Sequence, residues 1–230
     1  MTADSNRIAT TEILRAVALQ SAGVLLATAC LAAGGSRPQS FTIEAPPPNP
    51  VANLDGVVVA MTRVEVAPEY AGEAFVYQTG EHELVRDPSA RFAAMPDLLL
   101  FAAIRGYLAN TDFIADVVSP ESDLRPKVVV EAAALRLSGA VGSTGSSSTL
   151  TLRFRVLHKP TEGGPATEIF LKAYTSTTRN RGATARAVLD GWNRALAEVM
   201  SEFGSDLRNS LAAAQVLLPH AASTRRQTGN

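Results

Sequence analysis

The chain has 230 residues and a formal net charge of −1, with 21 Lys and Arg against 22 Asp and Glu. This balance excludes the strongly basic surface of a typical nucleic-acid binder, so no nucleic-acid partner is expected. The sequence contains one cysteine, so no intramolecular disulfide can stabilise the fold. The chain is long enough for one domain with a sizeable core, whose stability must come from apolar burial.

The N-terminus has the layout of a bacterial lipoprotein signal. A short polar segment with Arg7 and Arg15 precedes an apolar run, and three small residues (27–29) stand directly before Cys30. A basic start, an apolar stretch and small residues at the cut define a secretory signal. Because a cysteine directly after the cut is the residue that receives the lipid, we predict a signal peptide over 1–29 and lipidation at Cys30.

Two other interpretations of this segment stay open. The small residues 27–29 also fit the A-x-A pattern of ordinary secretion, in which case Cys30 would remain an unmodified thiol. An uncleaved anchor is the second alternative, although the apolar run is shorter than the roughly 20 residues of a membrane-spanning helix. Lipidation would give the more stable attachment, because each buried CH₂ contributes about 0.8 kcal/mol and several acyl chains act together.

Residues 30–53 are predicted to form a flexible tether after the lipidated cysteine. Gly34, Gly35 and Ser36 favour flexibility, and the prolines at 46–48 favour a stiff, extended chain. The segment 40–44 lies between these two regions and is a candidate first strand. Such a tether would let a domain stand off the membrane.

The domain is predicted over 54–216 and begins with strand patterns. The valine-rich segment 57–66 is predicted to be a strand, and 74–79 with 82–86 a hairpin interrupted at Gly80. The tripeptide 87–89 (Asp-Pro-Ser) is expected to end this hairpin. A helix is predicted over 95–110, followed by a strand over 111–119. The apolar residues available for the buried face of this helix are Leu98, Leu99, Ala102, Ala103 and Leu108.

Three long strands are predicted next, over 127–138, 149–159 and 169–177. The first two are separated by a glycine- and serine-rich loop, 139–148. In the middle strand, apolar side chains alternate almost strictly with polar ones, which is typical of an antiparallel sheet covered on a single side. The apolar series is Leu150, Leu152, Phe154 and Val156, and the polar series is Thr149, Thr151, Arg153 and Arg155.

The last part of the domain is predicted to be one long helix over 184–213. Apolar residues recur there at steps of three and four, as expected for a helix that packs on a core, and Gly204 is a candidate bend. Residues 217–230 are predicted to form a disordered tail. The whole pattern predicts an α+β fold, a mainly antiparallel β-sheet covered by two helices, one after the first strands and one long C-terminal helix.

The sequence carries no motif for catalysis or metal binding. No G-x-x-x-x-G-K-[ST] phosphate loop, H-E-x-x-H zinc motif or G-x-S-x-G nucleophile elbow occurs. The three histidines, His82, His158 and His220, are not at ligand spacing. We therefore predict that the protein is not an enzyme and has no catalytic residue, metal or cofactor.

A central block carries a specific order of motifs. It consists of a strand ending in proline and an aromatic residue (64–70), the strand 75–79, a turn and strand at 83–85, and the Arg91-Phe92 pair before a leucine-rich helix. This order and spacing resemble the ABC-type transport auxiliary lipoprotein family, which contains the PqiC-like lipoproteins. The chain departs from the family pattern in having Gln78 for an arginine, Phe92 for a tryptophan, and Ala-Gly-Glu at 71–73 for Leu-Asp-Arg.

The resemblance implies a non-enzymatic, lipid-anchored accessory subunit. It would work with an MCE-domain protein and ABC transporter subunits to move lipids or other hydrophobic molecules and to support outer-membrane integrity. The resemblance also implies homo-oligomers. Leu31 is not the aspartate that commonly retains lipoproteins at the inner membrane, so an outer-membrane anchor facing the periplasm is favoured, and inner-membrane anchoring stays open. The candidate partner or oligomer contacts are Pro68, Tyr70, Tyr77, Arg91 and Phe92.

Two other classes of function are alternatives to the accessory subunit. The main alternative is a stand-alone periplasmic binding lipoprotein for a hydrophobic ligand, which would carry bound lipid as a monomer without a stable partner. An envelope hydrolase is disfavoured, because no nucleophile–base pair can be named in the sequence.

Overall fold

The computed structural model describes residues 38–44, 56–160 and 164–214. The predicted signal peptide, Cys30 and the predicted tail lie outside these residues. The helices are α1 (Pro96–Ala109) and α2 (Ala185–Ala213), and a 3-10 turn covers Pro68–Tyr70. The strands are β1 (Gln39–Phe41), β2 (Val57–Val66), β3 (Ala74–Gln78), β4 (Leu84–Phe92), β5 (Ile114–Val118), β6 (Val128–Val141), β7 (Ser146–His158) and β8 (Thr167–Asn180).

All eight strands belong to one mixed sheet with β6 at its centre. One edge of β6 pairs along its whole length with β7, which in turn pairs with β8, and both pairings are antiparallel. The other edge is shared, because the first half of β6 pairs in parallel with β2 and Gly139 pairs in parallel with Tyr77 of β3. The sheet continues from β2 to β5, and from β3 to β4 and β1.

The structure confirms the predicted α+β fold with a sheet covered by two helices. α1 packs on β2 and β5, and α2 packs on β7 and β8. The two helices also contact each other, so they cover the same face of the sheet. The two longest pairings are antiparallel, as the three-strand pattern predicted. The parallel pairings of β2 and β3 with β6 were not predicted, because they join segments that are distant in sequence.

The predicted alternation of β7 is confirmed. Leu150, Leu152, Phe154 and Val156 are at most 1% exposed and face the helices. Their polar neighbours lie on the opposite face. The strands on either side of the predicted 139–148 loop are longer than expected, so the connection between them is confined to 142–145.

One local prediction was only partly right, and another was wrong. Leu108 is buried in α1 as predicted, but the rest of the buried side is formed by Leu100 and Ile104, and Leu98 is 57% exposed. The helix is apolar on nearly every side, so its periodicity could not select a face. The predicted break at 87–89 lies inside β4, where Pro88 is tolerated because it stands in the irregular stretch between Arg86 and Arg91 at which the register with β3 shifts.

α2 approaches the sheet most closely at Gly191. A Cβ atom there would lie 2.3 Å from Oδ1 of Asn180 and 2.4 Å from Oγ of Ser148. The Ser148 hydroxyl donates to the carbonyl of Val188 (2.7 Å), and the Thr178 hydroxyl donates to the carbonyl of Gly191 (2.9 Å). These side chains are buried, so α2 is fixed to the sheet by hydrogen bonds inside the core.

An aromatic cluster lies next to this contact. The indole N–H of Trp192 donates to the carbonyl of Ser138 (3.1 Å), which fixes the ring over the sheet. Phe75 packs edge-on against Trp192 with ring centroids 4.8 Å apart, and Phe92 lies 5.5 Å from Trp192. Phe41 completes the cluster at 5.2 Å from Phe75. These rings join α2 to β1, β3 and β4.

The first strand lies within the predicted tether. β1 pairs in parallel with the end of β4, as the candidate strand at 40–44 suggested. Phe41 and Ile43 are 9% and 5% exposed, and the N–H of Glu44 donates to Oδ1 of Asn193 (3.1 Å). Residues 38–44 therefore belong to the folded core, although they precede the predicted domain boundary at 54.

Gly191→Ala is expected to destabilise the protein by about 3 kcal/mol, because the new methyl group would displace Asn180 and Ser148 from buried hydrogen bonds. Gly106→Ala is the matched control. Gly106 also lies in a helix, but a Cβ there would meet nothing within 4 Å. This control should gain up to about 1 kcal/mol from helix propensity.

Urea denaturation followed by the fluorescence of Trp192, the only tryptophan, measures both variants. Equal stabilisation by the two substitutions would contradict the close contact at Gly191.

Candidate interaction surface

The structure divides the five predicted contact residues into buried and exposed ones. Tyr70 and Phe92 are 7% and 2% exposed, so their rings belong to the core and are not available to a partner in this fold. Pro68 and Arg91 are exposed, and Tyr77 is half-buried. Cys30, the predicted lipidation site, lies outside the described residues. The motif that carried the family resemblance is therefore largely a packing motif.

Tyr77 ties β3 to β4 and packs on β6. A Cβ atom on Gly139 would lie 2.8 Å from the Tyr77 ring, so glycine is required for this close packing. Burial and the neighbouring Asp87 carboxylate raise the pKa of Tyr77 to about 12. Burial alone would raise the pKa of Asp87, but hydrogen bonds from Ser89, Ala90 and Tyr77 outweigh it and lower that pKa. The pair is best explained as a structural link.

The face of the sheet opposite the helices is polar, and we call it the outer face. Paired threonine hydroxyls cross from β7 to β8, with 3.0 Å between Thr149 and Thr177 and 3.0 Å between Thr151 and Thr175. Because hydroxyls both donate and accept, such a surface suits contact with another polar surface.

A groove of about 600 Å³ lies on this outer face. Arg155 forms ion pairs there with Glu131 (3.6 Å) and Glu168 (3.1 Å), both partly exposed. Pairs exposed to this extent contribute about 1 kcal/mol at most, so these charges bear on recognition more than on stability. The charged residues that line the groove are Arg63, Glu65, Asp97, Glu131, Arg153 and Arg155.

β8 is a long edge strand that pairs only with β7 in the described part of the chain. On its helix side, Tyr174 donates to the Asp206 carboxylate (2.8 Å), as does Lys172 (2.6 Å), and Ser176 donates to Glu198 (2.5 Å). The hydrogen bonds from Lys172 and Tyr174 lower the pKa of Asp206. This row of contacts holds the strand against α2, and an ordered free edge can accept a further strand.

Sequence reasoning did not identify the free edge of β8 or the groove. A strand that closes a meander is often an edge strand, and this is the only signal that the sequence offered for β8. The groove joins residues of β2, α1, β6, β7 and β8. Its composition therefore depends on parallel pairings that the sequence pattern did not predict.

The described residues contain no group of three or more His, Cys, Asp or Glu close enough to hold a metal ion. Every buried side-chain nitrogen or oxygen atom among them has a hydrogen-bond partner. Neither helix in these ranges is long and apolar enough to cross a membrane.

Phe92→Ala is expected to lower the free energy of unfolding by about 3–5 kcal/mol, because it removes a ring from the centre of the aromatic cluster. Arg91→Ala, one residue earlier and exposed, should change it by less than about 0.5 kcal/mol. Denaturant titration of both variants checks this contrast, and a mild effect at Phe92 would return that residue to the candidate contacts.

The stability of the protein should fall between about pH 10 and pH 12 in part through Tyr77. A tyrosine whose pKa is raised in the fold contributes stability below its ordinary value of 10.0, and this contribution is lost as the pH rises through about 12. Tyr77→Phe should lose about 1 kcal/mol at neutral pH with the hydrogen bond to Asp87. The free energy of unfolding of Tyr77→Phe should then fall less between neutral pH and about pH 12 than that of the unmodified protein. Urea titrations at these two pH values measure the difference.

No family model and no curated protein sequence matches the chain. Among solved structures, protein XCC0632 from Xanthomonas campestris, of family DUF330, matches with a TM-score of 0.65 and 14% identity over 77% of this chain and 99% of that one. An uncharacterized protein matches with a TM-score of 0.56 and 12% identity over 73% and 99%.

Lipoprotein GNA1162 from Neisseria meningitidis also matches, with 8% identity over 68% of this chain and 99% of that one, but its TM-score of 0.34 is too low to support a conclusion. The match to XCC0632 shows that this chain shares the fold of a DUF330 protein.

Proposed function

We propose that this protein is a lipid-anchored accessory subunit of an MCE-type ABC transport system, facing the periplasm and acting without catalysis of its own. Such a system would move lipids or other hydrophobic molecules between membranes and support outer-membrane integrity. The observation that carries the proposal is the fold shared with XCC0632 over nearly the whole of that chain. DUF330 is a PqiC-like family, and the central block of this sequence resembles the same family.

The departures from the family pattern are compatible with this fold. Phe92 stands where the family has tryptophan, and it fills the aromatic cluster beside Phe75 and Trp192. Gln78 stands where the family has arginine, and its side-chain oxygen accepts a hydrogen bond from Arg136 of β6. Arg136 of the neighbouring strand thus supplies a guanidinium group at this place, so a positive charge is kept there.

The described surfaces support a protein-binding role. The outer face carries hydroxyl pairs and mixed charges, and β8 offers a long free edge. In such a subunit the work of transport would be done by the ATPase and membrane partners, and this domain would hold and position them. The exposed candidates Pro68 and Arg91 lie within the central block and remain candidate contacts.

The alternative of a stand-alone binding lipoprotein for a hydrophobic ligand has less support. The groove of about 600 Å³ is open and lined largely by charged side chains. A site for an apolar ligand is expected to be lined predominantly by apolar and aromatic groups. No observation on the described residues favours this alternative over the transport role.

The first test is mass spectrometry of the tagged full chain purified from its native membranes in mild detergent. We expect an N-terminal peptide that begins at an acylated Cys30, together with MCE-domain and ABC transporter subunits. Cys30→Ser is the matched control, and it should lose both the acyl mass and the membrane association.

Three outcomes are informative. An acylated Cys30 with the transport subunits supports the proposal. An acylated monomer that carries lipid and no partner would favour the binding lipoprotein. An unmodified N-terminus without partners would overturn both the anchor and the transport role.

A further inference from the structure

One end of the sheet carries a cluster of four exposed arginines, and we call it the arginine end. Arg179 is the next-to-last residue of β8, Arg181 directly follows the strand, and Arg186 and Arg194 lie in the first three turns of α2. Three of them, Arg179, Arg181 and Arg194, line a depression of about 330 Å³. The cluster therefore combines a strand end, a short turn and the start of a helix.

The charge of this cluster is largely uncompensated. Arg186 pairs with Asp190 at 3.2 Å. The guanidinium of Arg194 is held by the neutral side chain of Asn180 at 2.6 Å. Within the described residues, neither Arg179, Arg181 nor Arg194 forms an ion pair with a carboxylate. Asp190 lines the same depression as the three arginines, so it is the one carboxylate in that lining. Glu81 and Glu83 lie in the β3–β4 turn, on the far side of β6 and β7.

The register of the sheet relates this end to the N-terminal segment. Asn180 pairs with Ser146, which pairs with Val141 at the end of β6. β1 runs opposite to β6, because it is parallel to β4, β4 is antiparallel to β3, and β3 is parallel to β6. Of the β1 residues, Gln39 therefore lies nearest the arginine end.

The chain between the predicted anchor and β1 is short. Gln39 follows Cys30 by nine residues, which span at most about 30 Å when fully extended. Measured along the strand direction, Gln39 lies about four residues, or roughly 13 Å, from the arginine end. A lipid on Cys30 would therefore keep this end within roughly 20 Å of the bilayer surface when the end faces it.

We propose that the arginine end docks on the anionic phospholipid headgroups of the membrane that holds the anchor. This inference rests on the lipid anchor of the proposed function and does not depend on the transport partners. Guanidinium groups match phosphate oxygens in charge and in geometry. The screening length at physiological salt is about 8 Å, so the attraction acts only when the arginine end comes close to the headgroups, and the short chain keeps this end near enough for such approaches to be frequent.

The docking is electrostatic and does not involve insertion. The turn beside the arginines is Gly-Ser-Thr-Gly at 142–145, and Val141 before it is 50% exposed. A single exposed valine beside small polar residues is too little apolar surface to enter a bilayer. The contact should consequently depend on the charge of the lipid and on salt.

The test uses the full acylated chain with Ser143→Cys in this turn, labelled with a donor fluorophore and reconstituted into vesicles with acceptor-labelled headgroups. Vesicles contain phosphatidylcholine alone or mixed with phosphatidylglycerol. We expect more energy transfer with the anionic vesicles, falling to the neutral level in about 1 M salt, where the screening length is about 3 Å.

The decisive variant replaces the two arginines at the C-terminal end of β8, Arg179→Gln with Arg181→Gln. It should lower the ratio of docked to undocked protein about 25-fold, since each arginine near an anionic surface contributes about fivefold. Arg63→Gln with Arg153→Gln removes the same charge from the outer face and is the matched control, expected to leave the ratio unchanged.

Energy transfer that does not depend on lipid charge, or equal losses in the two double variants, would overturn the proposal. Peptide mass spectrometry of Cys30 on the same preparation shows separately whether the anchor exists. If Cys30 proves unmodified, the anchor fails, and the chain with Cys30→Ser, labelled at Ser143→Cys alone and added to preformed vesicles, still shows whether the arginine end binds anionic lipid.

Discussion

The close contact between α2 and the sheet at Gly191 is the constraint on which the rest of the structure depends. Only a residue without a side chain lets the helix come near enough for Ser148 and Thr178 to reach its carbonyls. Trp192, the next residue, then enters the aromatic cluster that joins β1, β3 and β4. Further along α2, Phe203 stacks on Phe154 of β7 with ring centroids 3.9 Å apart. One helix thus connects both halves of the sheet.

β6 divides the sheet into these two halves. Its edge passes from β2 to β3 where the pairing with β7 shifts between Ala134 and Arg136. An extra residue, Leu135, locally breaks the ladder and bends the strand, as β-bulges do. β2 and β3 can then diverge, and α1 and α2 each cover part of the same face. In the described part of the chain neither helix packs on the opposite face, although Asp97 of α1 lines the groove there, and this face is available to partners.

The sequence predicted the parts of this fold that depend on local patterns. The alternation of β7 and the apolar stripe of α2 each determine a buried face within one element, and both were found. The face of α1 was missed because the helix is apolar on nearly every side. The parallel pairings were missed because no local pattern specifies which distant strand will lie beside β6.

The candidate site was predicted less well than the fold. The block that resembles a known family supplied Tyr70 and Phe92 as candidate contacts, but both side chains are buried in the core and serve packing rather than contact. The arginines at 179, 181, 186 and 194 are visible in the sequence, but their relation to the membrane depends on the direction of β1. That direction follows from pairing with β4, about fifty residues later in the chain.

β1 also limits the length of free chain between Cys30 and the folded domain. It is three residues long and pairs with β4 alone among the described strands, and short edge pairings of this kind are among the first to open in a folded domain. With β1 released, the next described strand begins at Val57, 27 residues after Cys30, and the possible reach to that strand grows to about 90 Å. Pairing of β1 with β4 would therefore keep an anchored domain close to its own membrane. Release of β1 would let the same domain reach farther from that membrane.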